Sequence, residues 1–314
     1  MCAVFGYLDY KGKVSNAILK KLIQNLSIAA EVRGTDATGI GYVNHGKVVT
    51  FKKAKPAHKV KLYFPKNTRT VIGHTRMTTQ GSEKYNYNNH PFDGRCGTET
   101  FALAHNGVLY NDAELKAKYH LPKTQIETDS YVAVQLLEQE KQLHAESIKR
   151  MAESVEGSFV FTILRNDNTL FLVKGNNPLT LYHFPALGLY VYASTKTILD
   201  NVLQQINLSD KCCEIDVSEG EIVEIAANGK IRKSNFAMQD YTHSVFNPYN
   251  WYETEEQEEF LLECCRMFGV PEEDVYLLLD YGFSADEIEE MLMNPNLLED
   301  ALAEISVLEQ EDAE

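Results

Sequence analysis

Between residues 158 and 195 the chain reads SFVFTILRN, TLFLVKG, LTLYHF and LYVYAS, short runs rich in Val, Phe, Tyr and Leu. The turns between them are too short for a helical crossover, so neighbouring strands must pair antiparallel. The first third of the chain carries the same signature. Residues 3–8 are apolar and β-prone, GIGYVNHGKVVTFKK reads as a hairpin turned at Asn44-His45-Gly46, and TVIGHTR and TFALAHNG run straight into polar loops. EIVEIAANGKIRK reads as a further hairpin, turned at Asn228-Gly229. Helical spacing appears at Leu19, Leu22, Ile23, Leu26 and Ala30 behind a capping Ser15, ending near Arg33-Gly34. It returns over 129–140, 145–155 and 196–203. Strands, a pair of helices and strands again predict an α+β sandwich with helices outside packed sheets. Residues 78–99 read as one long strandless loop, of a size that is usually functional or disordered.

After about residue 250 the β pattern stops. Phe260, Leu261, Val275, Leu278, Leu279, Phe283, Ile288, Leu292, Leu298 and Leu302 recur at helical spacing, with Pro271 and Pro295 near helix starts. From Trp251 to Glu314 there are 21 acidic residues and one basic residue, Arg266, whereas the first 250 residues carry 24 acids and 29 bases. That asymmetry predicts a separate unit. The expected organisation is a domain over 2–235, a linker over 236–250 and a small all-α acidic module over 251–314. LLLDYGFSADEIEEML resembles the helix–loop–helix core of ubiquitin-associated-type modules, and a generic helical hairpin fits it equally. The tail's charge would repel phosphates, which argues against nucleic acid as a partner.

No run of about 18 apolar residues occurs, so no transmembrane helix and no membrane partner are expected. The N-terminus lacks the pattern of a signal peptide. The six cysteines (Cys2, Cys96, Cys212, Cys213, Cys264, Cys265) show no CxxC or Cys/His metal spacing. No metal, no disulfide framework and a reducing, cytoplasmic setting are expected.

Cys2 itself has two readings on its own stretch: a small buried hydrophobe, or a nucleophile beside its own amine once Met1 is removed. An α-amine titrates at about 7.7–8.0 and can act as a base at neutral pH. Four polar clusters fall at strand ends: RGTDATG (33–39), GHTRMTTQG (73–81) with NNHPF (88–92), HNG (105–107) with Asn111, and ETDS (127–130).

In order and spacing behind Cys2, these clusters resemble the glutaminase domain of class II glutamine amidotransferases, which are N-terminal-nucleophile hydrolases. The resemblance covers roughly residues 2–235, and GHTRMTTQG with NNHPF is most similar to the version in glucosamine-6-phosphate synthase. It implies a four-layer αββα sandwich, glutamine as substrate and no cofactor. By the resemblance Cys2 attacks the side-chain amide, and the Asn106 side chain with the Gly107 N–H forms the oxyanion hole. Arg76, assisted by Thr79 and Gln80, binds the α-carboxylate, and Asp129 binds the α-ammonium. His90 braces the loop over the pocket, while Arg33 and Asp36 support the nucleophile. Gln80 stands where those relatives often carry His, and Met77 where they carry Trp. No phosphosugar, phosphoribosyl or ATP-binding pattern follows the domain, and no GxxxxGK[ST] loop is present. The expected partner is therefore a separate ammonia-accepting synthase. The alternatives are a free-standing amide hydrolase and a glutamine-sensing module on a glutaminase-like fold.

Overall fold

The computed structural model describes residues 2–206, 208, 212–238, 261–262, 265–266, 268–281, 283, 285–292, 297–298, 301–303 and 305. The chain divides into two compact units, residues 1–241 and 242–314.

The first unit holds two antiparallel sheets. One contains β1 (Ala3–Asp9), β2 (Ala37–Asn44), β3 (Lys47–Lys53), β4 (Thr70–Arg76), β9 (Thr180–Phe184), β10 (Leu189–Ala193) and β11 (Cys213–Ile215), in the order β11-β9-β10-β1-β4-β2-β3. The other contains β5 (Phe92–Cys96), β6 (Glu99–Leu109), β7 (Gly157–Arg165), β8 (Leu170–Lys174), β12 (Glu221–Ile225) and β13 (Ile231–Asn235), in the order β13-β12-β8-β7-β6-β5.

Strand alternation explains how the layers stack. Along β1, Ala3, Phe5 and Tyr7 face a core shared with helix α1 (Asn16–Ala29) and helix α5 (Lys196–Gln205). Val4 and Leu8 face the opposite way and pack with Ala102, Val160 and Leu172 between the sheets. With both faces covered, every residue of β1 is buried, and the strand reads as a continuous apolar run. The outer face of the second sheet, including Phe101, Phe159 and Phe161, packs on helices α2 (Asp112–Lys118), α3 (Tyr131–Glu138) and α4 (Ala145–Ser154). The result is helix, sheet, sheet, helix. Helix α1 starts where its sequence says it should: the Ser15 hydroxyl accepts the Ile18 N–H at 3.3 Å, satisfying one of the donors a helix start leaves unpaired.

Three elements differ from the sequence expectation. The segment 78–99 contains a strand, β5, paired with β6 through Phe92↔Leu103 and Gly94↔Phe101. Gly94 disguises it, yet glycine is required there: a Cβ would lie 2.2 Å from the Phe101 ring. Helix α2 and strand β11 were not anticipated, being only 7 and 3 residues long. In the second unit, helices α6 (Glu272–Asp280) and α7 (Ala285–Leu292) contribute Val275, Leu278, Ile288 and Leu292 to a small apolar core with Leu261 and Cys265. Phe260, Pro295 and most of the expected linker lie outside the described residues. Among the described residues no helix is long and apolar enough to cross a membrane, and no group of three His, Cys, Asp or Glu side chains is placed to hold a metal.

Candidate active site

Cys2 lies just before β1, and Arg76 is the last residue of β4, its neighbour in the sheet. Register pairs Ala3 with Thr75, so strand pairing alone brings residues 2 and 76 to one end of the sheet. A small cleft opens there, lined by Cys2, Arg76, Met77, Thr79, Gln80, His90, His105, Gly107, Thr128, Asp129 and Ser130. Seven of the ten residues singled out from the sequence thus share one cleft. Arg33, Asp36 and Asn106 make up the remainder.

Arg33 and Asp36 hold the surroundings of the cleft. The Arg33 Nε donates to the Cys2 carbonyl at 3.0 Å, and the Asp36 carboxylate accepts the Thr78 N–H at 2.7 Å. Gly34, between them, passes so close to β4 that a Cβ would lie 2.5 Å from the Arg76 carbonyl carbon.

Asn106 is fully buried between the lining residues His105 and Gly107. By alternation along β6 its side chain follows Ala102 and Ala104 toward the first sheet. Its backbone carbonyl accepts the Asn177 side chain at 2.9 Å, but neither atom of its own amide has a partner among the described residues. A buried amide left unpaired costs about 1–3 kcal/mol, so such a group in a cleft wall is a candidate for meeting a ligand. Gly107 has φ 138°, and a Cβ on it would lie 1.9 Å from the Ser158 carbonyl oxygen; only glycine fits.

Asp129 is buried, taking the Leu109 N–H at 2.6 Å and the Ser130 hydroxyl at 3.2 Å. Each carboxylate oxygen keeps acceptor capacity for a cation in the cleft. Arg76 is more committed. Its Nη1 donates to Asn89 Oδ1 at 2.7 Å, and its Nη2 donates to the carbonyls of Gln80 at 2.6 Å and Gly81 at 2.8 Å. Both forks by which a guanidinium grips a carboxylate include Nη2, so a bidentate grip would require that nitrogen to exchange loop carbonyls for the ligand. Thr79 and Gln80 are exposed at the rim.

The Cys2 thiol donates to the Met77 carbonyl at 3.4 Å. Burial pushes the thiol up from its ordinary range, with Arg76 opposing. Three histidines pack behind the cleft. His74 donates from Nε2 to the His105 carbonyl at 2.9 Å, and burial pulls it down to about 3. His90 packs against His74 with ring centroids 4.3 Å apart and the planes tilted by 35°, and it is held well below its usual range by burial. His105, lowered for the same reason, meets the Ser130 hydroxyl through Nδ1 at 2.8 Å. All three are neutral imidazoles at pH 7.

Residues 74–201 match the family model described as a glutamine amidotransferase domain. This chain carries a class II glutamine amidotransferase domain. The match spans Arg76, Thr79, Gln80, His90, Asn106, Gly107 and Asp129; Cys2, Arg33 and Asp36 precede it. The chain is 27% identical over 270 residues to the glutamine–fructose-6-phosphate aminotransferase (isomerizing) of Bacillus subtilis, covering 82% of this chain and 43% of that protein. It is 30% identical over 244 residues to 7-cyano-7-deazaguanine synthase 2 of Sulfurisphaera tokodaii, covering 74% of this chain and 50% of that one. The chain therefore spans about half the length, or less, of these relatives. Among solved structures, glutamine phosphoribosylpyrophosphate amidotransferase of B. subtilis superposes with a TM-score of 0.59 at 22% identity, over 76% of this chain and 50% of that one. That likeness is one of fold.

Met77, Thr128, Ser130, His105 and Asn89 are neighbours of the site that were not assigned to it from the sequence. Thr128 and Ser130 flank Asp129 in the ETDS cluster, which was their only signal.

Proposed function

We propose that the amidotransferase domain hydrolyses the side-chain amide of glutamine through Cys2, with Met1 removed so that Cys2 bears a free α-amine. The observation that carries this reading is the shared cleft: a thiol, a guanidinium and a carboxylate converge beside a buried amide with no partner.

A thiol raised by burial rests protonated and needs a base. The buried histidines are poor candidates, because burial has made them reluctant to take a proton. The α-amine of Cys2, titrating at about 7.7–8.0, suits the task. It takes the thiol proton as sulfur bonds to the carboxamide carbon. The oxyanion that forms is met by the Asn106 Nδ2 and the Gly107 N–H, donors whose pre-set positions are worth about 2.7–4 kcal/mol each in such sites. As the C–N bond breaks, the ammonium returns its proton to the departing nitrogen, giving ammonia and a thioester. Water, deprotonated by the same amine, then releases glutamate and restores the thiol. Asp129 attracts the substrate ammonium, and Arg76 supplies the positive charge for the α-carboxylate. Arg33 and Asp36 fix the Cys2 and Thr78 backbones. The ammonia passes to an acceptor site outside the described residues, on a partner synthase. The test is release of glutamate and ammonia from glutamine, expected in the wild type and abolished in Cys2→Ala; equal turnover in Cys2→Ala would overturn the reading.

A further inference from the structure

Lys52 looks like one of a run of surface lysines with Lys53, Lys55, Lys59 and Lys61, but its ammonium is turned inward. It is half-buried, whereas the other four are exposed. From β3 it faces Gly39 across the strand pair, and Gly39 in turn faces His74. With no side chain at position 39, the turn carrying His90 settles directly onto the sheet; a Cβ on Gly39 would lie 2.1 Å from the His90 carbonyl oxygen. Lys52 clamps that turn from outside. Its Nζ donates to the Asn89 carbonyl at 2.6 Å and the Pro91 carbonyl at 3.1 Å, and it sits 4.9 Å from the centre of the Phe92 ring.

The clamped turn carries two parts of the site. Asn89 is fully buried, accepts the Arg76 guanidinium through Oδ1 and donates through Nδ2 to the Glu83 carbonyl at 2.8 Å. His90 forms part of the cleft wall. We propose that Lys52 is a positioning residue for the carboxylate side of the glutamine site: its ammonium holds the Asn89–Pro91 turn, and through Asn89 it fixes the guanidinium of Arg76. This rests on the glutaminase reading. The charged groups facing Lys52 are Asp93 on β5 and Arg76 on β4, with neutral His74 and His90 behind. Burial, reinforced by Arg76 and opposed by Asp93, brings the ammonium down to about 8. Above that pH the clamp loses its charge assistance, and the hydrogen bonds weaken toward those of a neutral amine.

The test uses the full chain. In a Cys2→Ala background, which binds without turnover, titration calorimetry compares glutamine with 4-aminobutanamide, the same amide lacking the α-carboxylate. Lys52→Met, similar in length but without donors, is expected to weaken glutamine about 10-fold, the scale of one hydrogen bond to a charged group, and to leave the analogue unchanged. Lys52→Arg should restore glutamine binding. With Cys2 intact, Lys52→Met should raise KM about 10-fold with kcat changed less than about 2-fold. Wild-type affinity for glutamine should fall as pH rises through about 8, and the corresponding loss should be missing in Lys52→Arg. Equal weakening of both ligands would make Lys52 merely structural, and an unchanged KM in Lys52→Met would remove it from the site. If Lys52→Met fails to fold, superimposable alkaline limbs for wild type and Lys52→Arg refute the proposal. Failure of the glutaminase reading looks different: wild type neither binds nor hydrolyses glutamine.

Discussion

Replacing Asn106 by alanine should separate activity from stability. An oxyanion donor acts on charge that exists only in the transition state, so its loss should lower kcat by about 10²–10³ and leave KM nearly unchanged. Stability should behave differently, because the Asn106 amide is fully buried and has no partner among the described residues. Removing an unpaired buried amide returns about 1–3 kcal/mol, while the vacated space costs a comparable amount in lost packing. The two offset to within about 1 kcal/mol, or about 4 °C in Tm for a domain of this size. Asn106→Asp, of the same size, should be as inactive and less stable, since it buries a charge beside the cleft. Initial rates of glutamate release at saturating glutamine, paired with calorimetric melting, read both quantities. An Asn106→Ala protein that melts more than about 10 °C lower and keeps near-normal kcat would show that this amide holds the fold together instead of the transition state, and the reasoning would fail.

Arg76→Lys should raise KM for glutamine far more than it lowers kcat, because an ammonium cannot replace a planar fork that stays held by Asn89 while it exchanges loop carbonyls for the substrate carboxylate; steady-state kinetics decide, and an unchanged KM would count against it. Acid should destabilise the first unit early. His74 titrates at about 6.5 when unfolded but near 3 when folded, so the unfolded state binds more protons between those values. The stability from keeping it neutral is present above about pH 6.5 and is lost as pH falls toward 3. Urea midpoints measured from pH 7 to 4 should therefore decline, and a flat profile would contradict the burial. Truncation before Trp251 should leave glutamine hydrolysis intact and abolish salt-sensitive binding to a basic partner surface, since the tail carries 21 acids against one base; unchanged partner binding across a salt series would make the tail a solubilising appendage.

Much of this could be read from the chain because strand ends carry the chemistry. GHTR and HNG sit on runs whose composition marks a strand, and the polar residues that close those runs mark the site. ETDS stands out as an acidic cluster just ahead of helix α3. What escaped was set by tertiary contact. β5 was hidden because Gly94 looks like a turn residue, and only the Phe101 ring beside it explains the missing side chain. Lys52 stands in sequence among Lys53, Lys55, Lys59 and Lys61 and has nothing local to distinguish it from them, yet the open space over Gly39 lets a loop settle where its ammonium can hold it. Arg76 could be identified as a carboxylate binder by type, but nothing local predicts that Asn89, Gln80 and Gly81 already occupy its donors. Asn106 shows the reverse: its motif singled it out, and its lack of partners appears only when the whole interior is accounted for.

The central claim is that Cys2 is both nucleophile and amino terminus. It is tested most directly by treating the protein with a glutamine analogue bearing a chloromethyl ketone in place of the side-chain amide, then determining the intact mass and the mass of the N-terminal peptide. One adduct is expected, on the sulfur of Cys2, in a chain that begins at Cys2 and loses glutamine hydrolysis in step with labelling. Labelling at Cys96, Cys212, Cys213, Cys264 or Cys265 in its place, or full activity in a chain that still carries Met1, would contradict it.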